Sequence, residues 1–159
     1  MILNLAYSWS EYVYQYYYLL ESTSGSTYRG CVLCRTFDGN TTPGPWEWIN
    51  PPLNPNVEYR TVERYQGKPV YVKLIDFGAL PNNSVKMVEY AGGDATTRTI
   101  EAHGVMAGGY VIPGSTGSNG YPDQVLDIIT DNTHVGVITH TDRSSYTAQI
   151  VVKYWRTSD

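Results

Sequence analysis

The stretch Ser145-Tyr146-Thr147-Ala148-Gln149-Ile150-Val151-Val152-Lys153-Tyr154-Trp155 decides the fold class. Tyr146, Ala148, Ile150, Val152 and Tyr154 alternate with Thr147, Gln149, Val151 and Lys153. A period of two puts successive side chains on opposite faces of a strand, so this segment reads as a long closing strand with one apolar and one mostly polar face. Working back along the chain, Gly and Pro clusters recur about every ten to fifteen residues, with Val, Ile, Thr and Tyr between them, and helical periodicity is almost absent. Further strands are expected at 57–63, 68–77, 85–90, 97–103, 110–112, 125–129 and 133–140. With 145–155 they make about eight strands in roughly 105 residues, the count of a β-sandwich or jelly-roll-like head.

The first fifty residues read differently. Tyr12, Tyr14, Tyr16, Tyr18 and Leu20 share one strand face, and Val13, Gln15, Tyr17 and Leu19 share the other. The run 21–26 reads as a turn, 28–37 as the returning antiparallel strand, and 46–49 as a third short strand, giving a small β meander. The segment Asn50-Pro51-Pro52-Leu53-Asn54-Pro55-Asn56 follows. Proline cannot donate to a ladder and holds its predecessor extended, so the domain boundary is placed here, between 1–50 and 51–159, with a stiff connection.

Composition excludes several partners. The chain has 159 residues, 42% hydrophobic and 16% charged, with 15 Tyr against 4 Trp and 2 Phe. That is too apolar for disorder and long enough for one core. A net charge of −4 gives no attraction to nucleic acid or to an anionic membrane surface. No apolar run reaches the length of a membrane span, so no membrane insertion is expected, and no secretion signal is visible at the N-terminus.

Candidate chemistry is sparse. Cys31 and Cys34 form a CxxC, but no second pair of ligands with zinc spacing accompanies it, and it lies in a strand-like run rather than at a helix start. Two ordinary thiols are expected, with no metal and no cofactor. His134 and His140, six apart on one expected strand, lie about 20 Å apart and cannot share a metal within one protomer. They read as strand-end histidines. Asn40 and Asn82 match the glycan-acceptor pattern but read as turn residues. The chain contains no nucleophile elbow, phosphate loop or HExxH helix, so no catalytic residue is assigned. Glu63, Asp76, Glu89, Glu101, Asp123, Asp127 and Asp131 are the carboxylates from which a glycosidase pair would be drawn, and their scattered positions specify none.

Two blocks carry a family resemblance. Trp46-Glu47-Trp48-Ile49-Asn50-Pro51-Pro52-Leu53 is followed by Val57-Glu58-Tyr59-Arg60-Thr61-Val62-Glu63-Arg64-Tyr65 and by Gly67-Lys68-Pro69-Val70-Tyr71-Val72-Lys73-Leu74-Ile75-Asp76-Phe77-Gly78-Ala79-Leu80-Pro81-Asn82. This region resembles C-terminal modules of bacteriophage and prophage tail fibres and receptor-binding proteins. Residues 1–50, with their aromatic meander ending in Trp-x-Trp, look like the knob repeats of tail fibres and pyocins. The resemblance implies a homotrimeric β-structure, joined to the rest of the tail fibre and displayed on the virion tail. It also implies synthesis in the bacterial cytoplasm and attachment to a saccharide or protein on the bacterial surface. The matched block is scaffold and transfers no binding residue.

For recognition the residues themselves point to two loops. Pro113-Gly114-Ser115-Thr116-Gly117-Ser118-Asn119-Gly120-Tyr121-Pro122-Asp123 is rich in glycine and small polar residues, and Tyr121 and Asp123 are its recognition groups. The turn 139–146 offers His140, Asp142 and Arg143. A ring stacks on the apolar face of a sugar while Asp, Asn and Arg satisfy its hydroxyls. Trp46, Trp48 and Trp155 are expected to pack a core or a seam between protomers. The expectation is therefore a receptor-binding module that performs no reaction. The alternatives are a polysaccharide-degrading tail-spike domain and a purely structural trimerisation tip.

Overall fold

The computed structural model describes residues 2–6, 13–19, 30–38, 42–91, 96–115 and 125–157. Those residues form fourteen strands and no helix. The N-terminal part supplies β1 (Ile2–Ala6), β2 (Val13–Tyr18), β3 (Val32–Asp38), β4 (Thr42–Pro43) and β5 (Glu47–Trp48). The remainder supplies β6 (Glu58–Tyr65), β7 (Lys68–Ala79), β8 (Val85–Glu89), β9 (Thr97–Met106), β10 (Tyr110–Ile112), β11 (Gly114–Ser115), β12 (Val125–Thr130), β13 (His134–Thr139) and β14 (Thr147–Arg156). The all-β expectation holds, and each strand expected beyond residue 57 is present with ends moved by a few residues. Strands β1, β4 and β11 were not expected; the last two have two residues each, too few to show alternation. The expected turn at 21–26 lies outside the described residues.

Among the described residues the strands make two sheets. One runs β1-β2-β3-β5-β6-β7-β14-β9-β10, with β4 beside β3, and the other runs β11-β12-β13-β8. Strand β14 lies between β7 and β9, antiparallel to both. Its alternation works as the sequence implies: Ala148, Ile150, Val152 and Tyr154 are buried, and Thr147 and Gln149 are exposed. They meet Ile75, Phe77, Met106 and Ile112 of their own sheet and Leu126, Val135 and Val137 of the other, so the core lies between two layers. Burying a branched aliphatic or aromatic side chain contributes about 1.5–3 kcal/mol, and this layer holds most of the fully buried ones among the described residues.

Local turn chemistry sets the registers. Between β6 and β7, Gln66 and Gly67 both have positive φ, 50° and 77°, the two-residue hairpin turn whose twist matches the strands. Further along, Ala148 faces Gly78 while Gln149 faces Asp76, leaving Phe77 as an extra residue in β7. Gly78 takes φ 67° at this bulge, a conformation glycine adopts without steric cost. Val70 and Val72 of β7 are buried on the outer face, where Tyr65 and Trp155 approach within 6.1 Å across that strand.

The N-terminal strands continue the larger sheet through one parallel contact, Trp48 opposite Thr61. The Trp48 ring stands edge-on to Tyr59 at 5.3 Å. Glu47 accepts hydrogen bonds from Arg60 Nε at 2.9 Å and from Arg64 Nη2 at 2.7 Å. The proline-rich segment is tied on both sides. Asn50 Oδ1 accepts from the Val32 amide and its Nδ2 donates to the Gly30 carbonyl, while the Asn56 amide donates to the Leu74 carbonyl.

Candidate functional site

Registers bring the residues that flank the first expected recognition loop and the start of the second to one end of the smaller sheet. Ser115 pairs with Val125 and Leu126 pairs with Thr139, so both ends of the 116–124 connection sit beside the point where β13 enters the turn 140–146. Tyr121 and Asp123 themselves lie outside the described residues. His140 Nε2 is 3.6 Å from Asp127 Oδ2, and both side chains are about half exposed. Asp142 is committed to its own turn. Its Oδ1 accepts from the Ser144 amide at 2.9 Å and from the Ser144 hydroxyl at 2.7 Å, and these bonds hold its carboxyl below the ordinary Asp range. The Arg143 amide donates to the Pro81 carbonyl, and the residue is half-buried. The loop end therefore presents His140 with Asp127, whereas Asp142 shapes the loop. The His140–Asp127 pairing was missed in the sequence because it depends on the β12–β13 register.

A second cluster lies on the N-terminal sheet. Registers place Gln15, Tyr17, Leu33, Arg35 and Trp48 on one face and Tyr14, Tyr16, Tyr18 and Cys34 on the other. The Arg35 guanidinium carbon lies 4.4 Å from the Trp46 ring centre and 5.0 Å from that of Phe37, and its Nε donates to Gln15 Oε1 at 2.7 Å. Tyr17 approaches Trp46 at 6.2 Å. A guanidinium set over aromatic rings makes a partly solvated surface of the kind that sugars and partner proteins contact. Neither face has a second layer over it among the described residues: Tyr14 is 48% exposed and no described side chain of β2, β3 or β5 is buried.

Groups with reactive potential are shifted toward inertness. Burial raises the Cys31 and Cys34 thiols, with Glu47 adding to the rise at Cys34; both cysteines are free. Burial raises the Tyr90 phenol and strongly raises that of Tyr154, whose hydroxyl donates to Glu58. Glu58 also meets Arg156, whose guanidinium carbon lies 4.7 Å from the Tyr71 ring centre. A nucleophile or general base needs the opposite displacement. Of the carboxylates expected to supply a pair, Glu63 binds Lys153, Glu101 binds His103 and lies 4.0 Å from the same Lys153, Asp131 binds His134 and Asp127 binds His140, while Asp123 lies outside the described residues. Each histidine thus has its own carboxylate. Among the described residues no group of three His, Cys, Asp or Glu side chains is placed to hold a metal ion. Trp46, Trp48 and Trp155 are all half-buried against other aromatic rings.

No family model, curated protein or solved structure matches the chain.

Proposed function

We propose that the chain is a receptor-binding module of a phage-type tail fibre, held as a homotrimer on the virion tail and attaching it to a saccharide or protein of the bacterial surface. The observation that carries the reading is that Ser115 and Val125, which flank residues 116–124, are paired beside the start of the 140–146 turn at one end of the sandwich. A rigid two-layer scaffold that offers adjacent polar loops is built for contact, since loop backbone there need not complete a ladder. Tyr121, Asp123, His140 and Arg143 are its contact groups, with Asp142 holding the turn. The open aromatic faces of β2 and β3 support the trimer, because half-exposed rings on both sides of one sheet gain most from a covering copy. Thiols and phenols held protonated support binding without catalysis.

The test uses the labelled full chain on whole bacteria from a broad panel, with reducing-sugar release from their envelopes measured alongside. Attachment to some strains without sugar release, lowered by Tyr121→Ala in a protein that still folds, is the expected result. Sugar release would transfer the case to a depolymerising spike, and a chain that trimerises but attaches to no strain would be a structural tip. Sedimentation at micromolar concentration is expected to give a trimer. A stable monomer would remove that part of the proposal.

A further inference from the structure

The bulge in β7 has a second consequence on the outer face of the larger sheet. There Asp76, Val105, Thr147 and Gln149, with the backbone of Met106 to Ala107 and of Ala148, line a depression of about 250 Å³. Asp76 lies opposite Gln149, and Gln149 lies opposite Val105, so three neighbouring strands contribute side chains to one side of the sheet. The depression adjoins the candidate loop end, since Thr147 directly follows the turn 140–146.

Its polar groups are idle. The side chains of Asp76, Thr147 and Gln149 make no hydrogen bond or ion pair among the described residues. Of the acidic residues whose side chains are described, Asp76 and Glu89 alone lack a partner, and Glu89 stands on the edge strand β8 of the smaller sheet. Asp76 is held where it is, because its own amide donates to Asn56 Oδ1 at 3.3 Å. On the apolar side, Val105 is 49% exposed and its cross-strand neighbour Val111 is 61% exposed. A carboxylate, an amide and a hydroxyl beside an aliphatic wall match one chemistry well. A pyranose ring presents hydroxyls that donate to carboxylate and amide oxygens and accept from amide and hydroxyl protons, while its C–H face lies against methyl groups. The volume is below the roughly 300–1,000 Å³ of sites for larger ligands, which limits the occupant to one small ring.

We propose that this depression is a monosaccharide subsite, with Asp76 as the main hydroxyl acceptor, Gln149 and Thr147 completing the polar contacts and Val105 meeting the ring's C–H face. The proposal narrows the attachment reading above to a sugar unit at a stated place, and its biological role rests on that reading. Gly78 is its structural premise, since its left-handed conformation forms the bulge that sets Asp76 opposite Gln149.

The test is nuclear magnetic resonance titration of the nitrogen-labelled full chain with the methyl glycosides of glucose, galactose, mannose and N-acetylglucosamine, one at a time, at millimolar concentration. At least one glycoside should move the amides of Val105, Ala107 and Gln149 saturably while leaving those of β12 and β13 in place. Asp76→Ala and Gln149→Ala should each weaken that binding by about tenfold or more, as expected for the loss of a hydrogen bond to a ligand, with the melting midpoint unchanged. The subsite is overturned if no glycoside moves these amides, or if the movement survives both substitutions. Whole-cell attachment by the parent chain separates the two proposals. Attachment without a glycoside response sinks the subsite alone, and a glycoside response without attachment sinks the attachment reading alone.

Discussion

Strands β2 and β3 and strands β7 and β14 are both rich in Val and Tyr, and they differ in what lies against them. Ile150 and Val152 have a second sheet above them and are 0% exposed; Tyr14 and Tyr17 have solvent and are 48% and 37% exposed. Both regions form antiparallel ladders, so ladder formation alone does not distinguish them. Burial does. Apolar area removed from water is the main favourable term in folding, and a single layer with aromatic rings on both faces collects only part of it. The N-terminal sheet therefore depends on its seam with β6 and on whatever covers its faces, while the sandwich is self-sufficient.

The largest effect should come from breaking the sandwich and the single layer in the same way. Ile150→Ala empties a fully enclosed position and should cost about 2–5 kcal/mol in denaturant unfolding. Leu33→Ala removes a side chain half-buried on the open sheet and should cost about 1 kcal/mol in a monomer. The comparison sharpens with concentration. If copies cover the N-terminal faces, the Leu33→Ala loss should grow as the parent chain is concentrated through its assembly range, and the Ile150→Ala loss should not. Equal losses at all concentrations would show that the two regions do not differ in the way described.

A smaller effect should follow from cutting the seam. Glu47 is 12% exposed and accepts from two arginines that are 27% and 43% exposed. Glu47→Ala leaves both guanidiniums without that acceptor and should cost about 1–2 kcal/mol, solvent screening at Arg64 reducing the figure. The distinctive readout is hydrogen exchange. Amides of β2 and β3 should exchange faster in Glu47→Ala while those of β14 and β9 keep their protection. Uniform acceleration in both sets of strands would mean that the regions unfold as one unit and that the seam is not the weaker joint.

How much of this was legible follows the same division. The alternation of 145–155 reported the buried face of β14 residue by residue, because a strand with a core on one side writes its environment into every second position. The strands of the sandwich were found for that reason. The alternating tyrosines of 12–20 revealed a strand that asks for cover on both sides, and among the described residues neither face of β2 has a second layer over it. Three things were not legible. The sheet order, with β14 between β7 and β9, depends on long-range pairing. The bulge at Phe77-Gly78 shifts register without any local signature beyond a glycine. The idle groups of the outer face became visible only when Asp76, Thr147 and Gln149 were brought together from two distant strands. Asp142 shows the converse: a residue type suited to recognition turned out to serve Ser144 in its own turn.

The smallest predicted effect lies at the turn between β12 and β13, and it tests whether the sandwich's loops are held by charge as well as by backbone. Asp131 Oδ1 accepts from the Thr133 amide at 2.7 Å and the His134 amide at 2.6 Å, with His134 Nδ1 at 3.2 Å. Two backbone donors first, and the histidine after them, lower its carboxyl from 3.8 to about 2. A carboxyl whose folded pKa lies below its unfolded value binds its proton more readily in the unfolded chain. Its contribution is therefore fully present above the unfolded value near 3.8 and is lost as pH falls toward about 2. Asn at 131 keeps an oxygen for the two amides but has no charge to lose. The melting midpoint of the parent should exceed that of Asp131→Asn at neutral pH by a small and constant margin, which shrinks between pH 4 and 2 and vanishes below (about the span of the two pKa values). A margin at Asp131 that is flat across the acid range would show that the carboxylate's charge does not hold the turn, and that the two amides are satisfied equally well by a neutral acceptor.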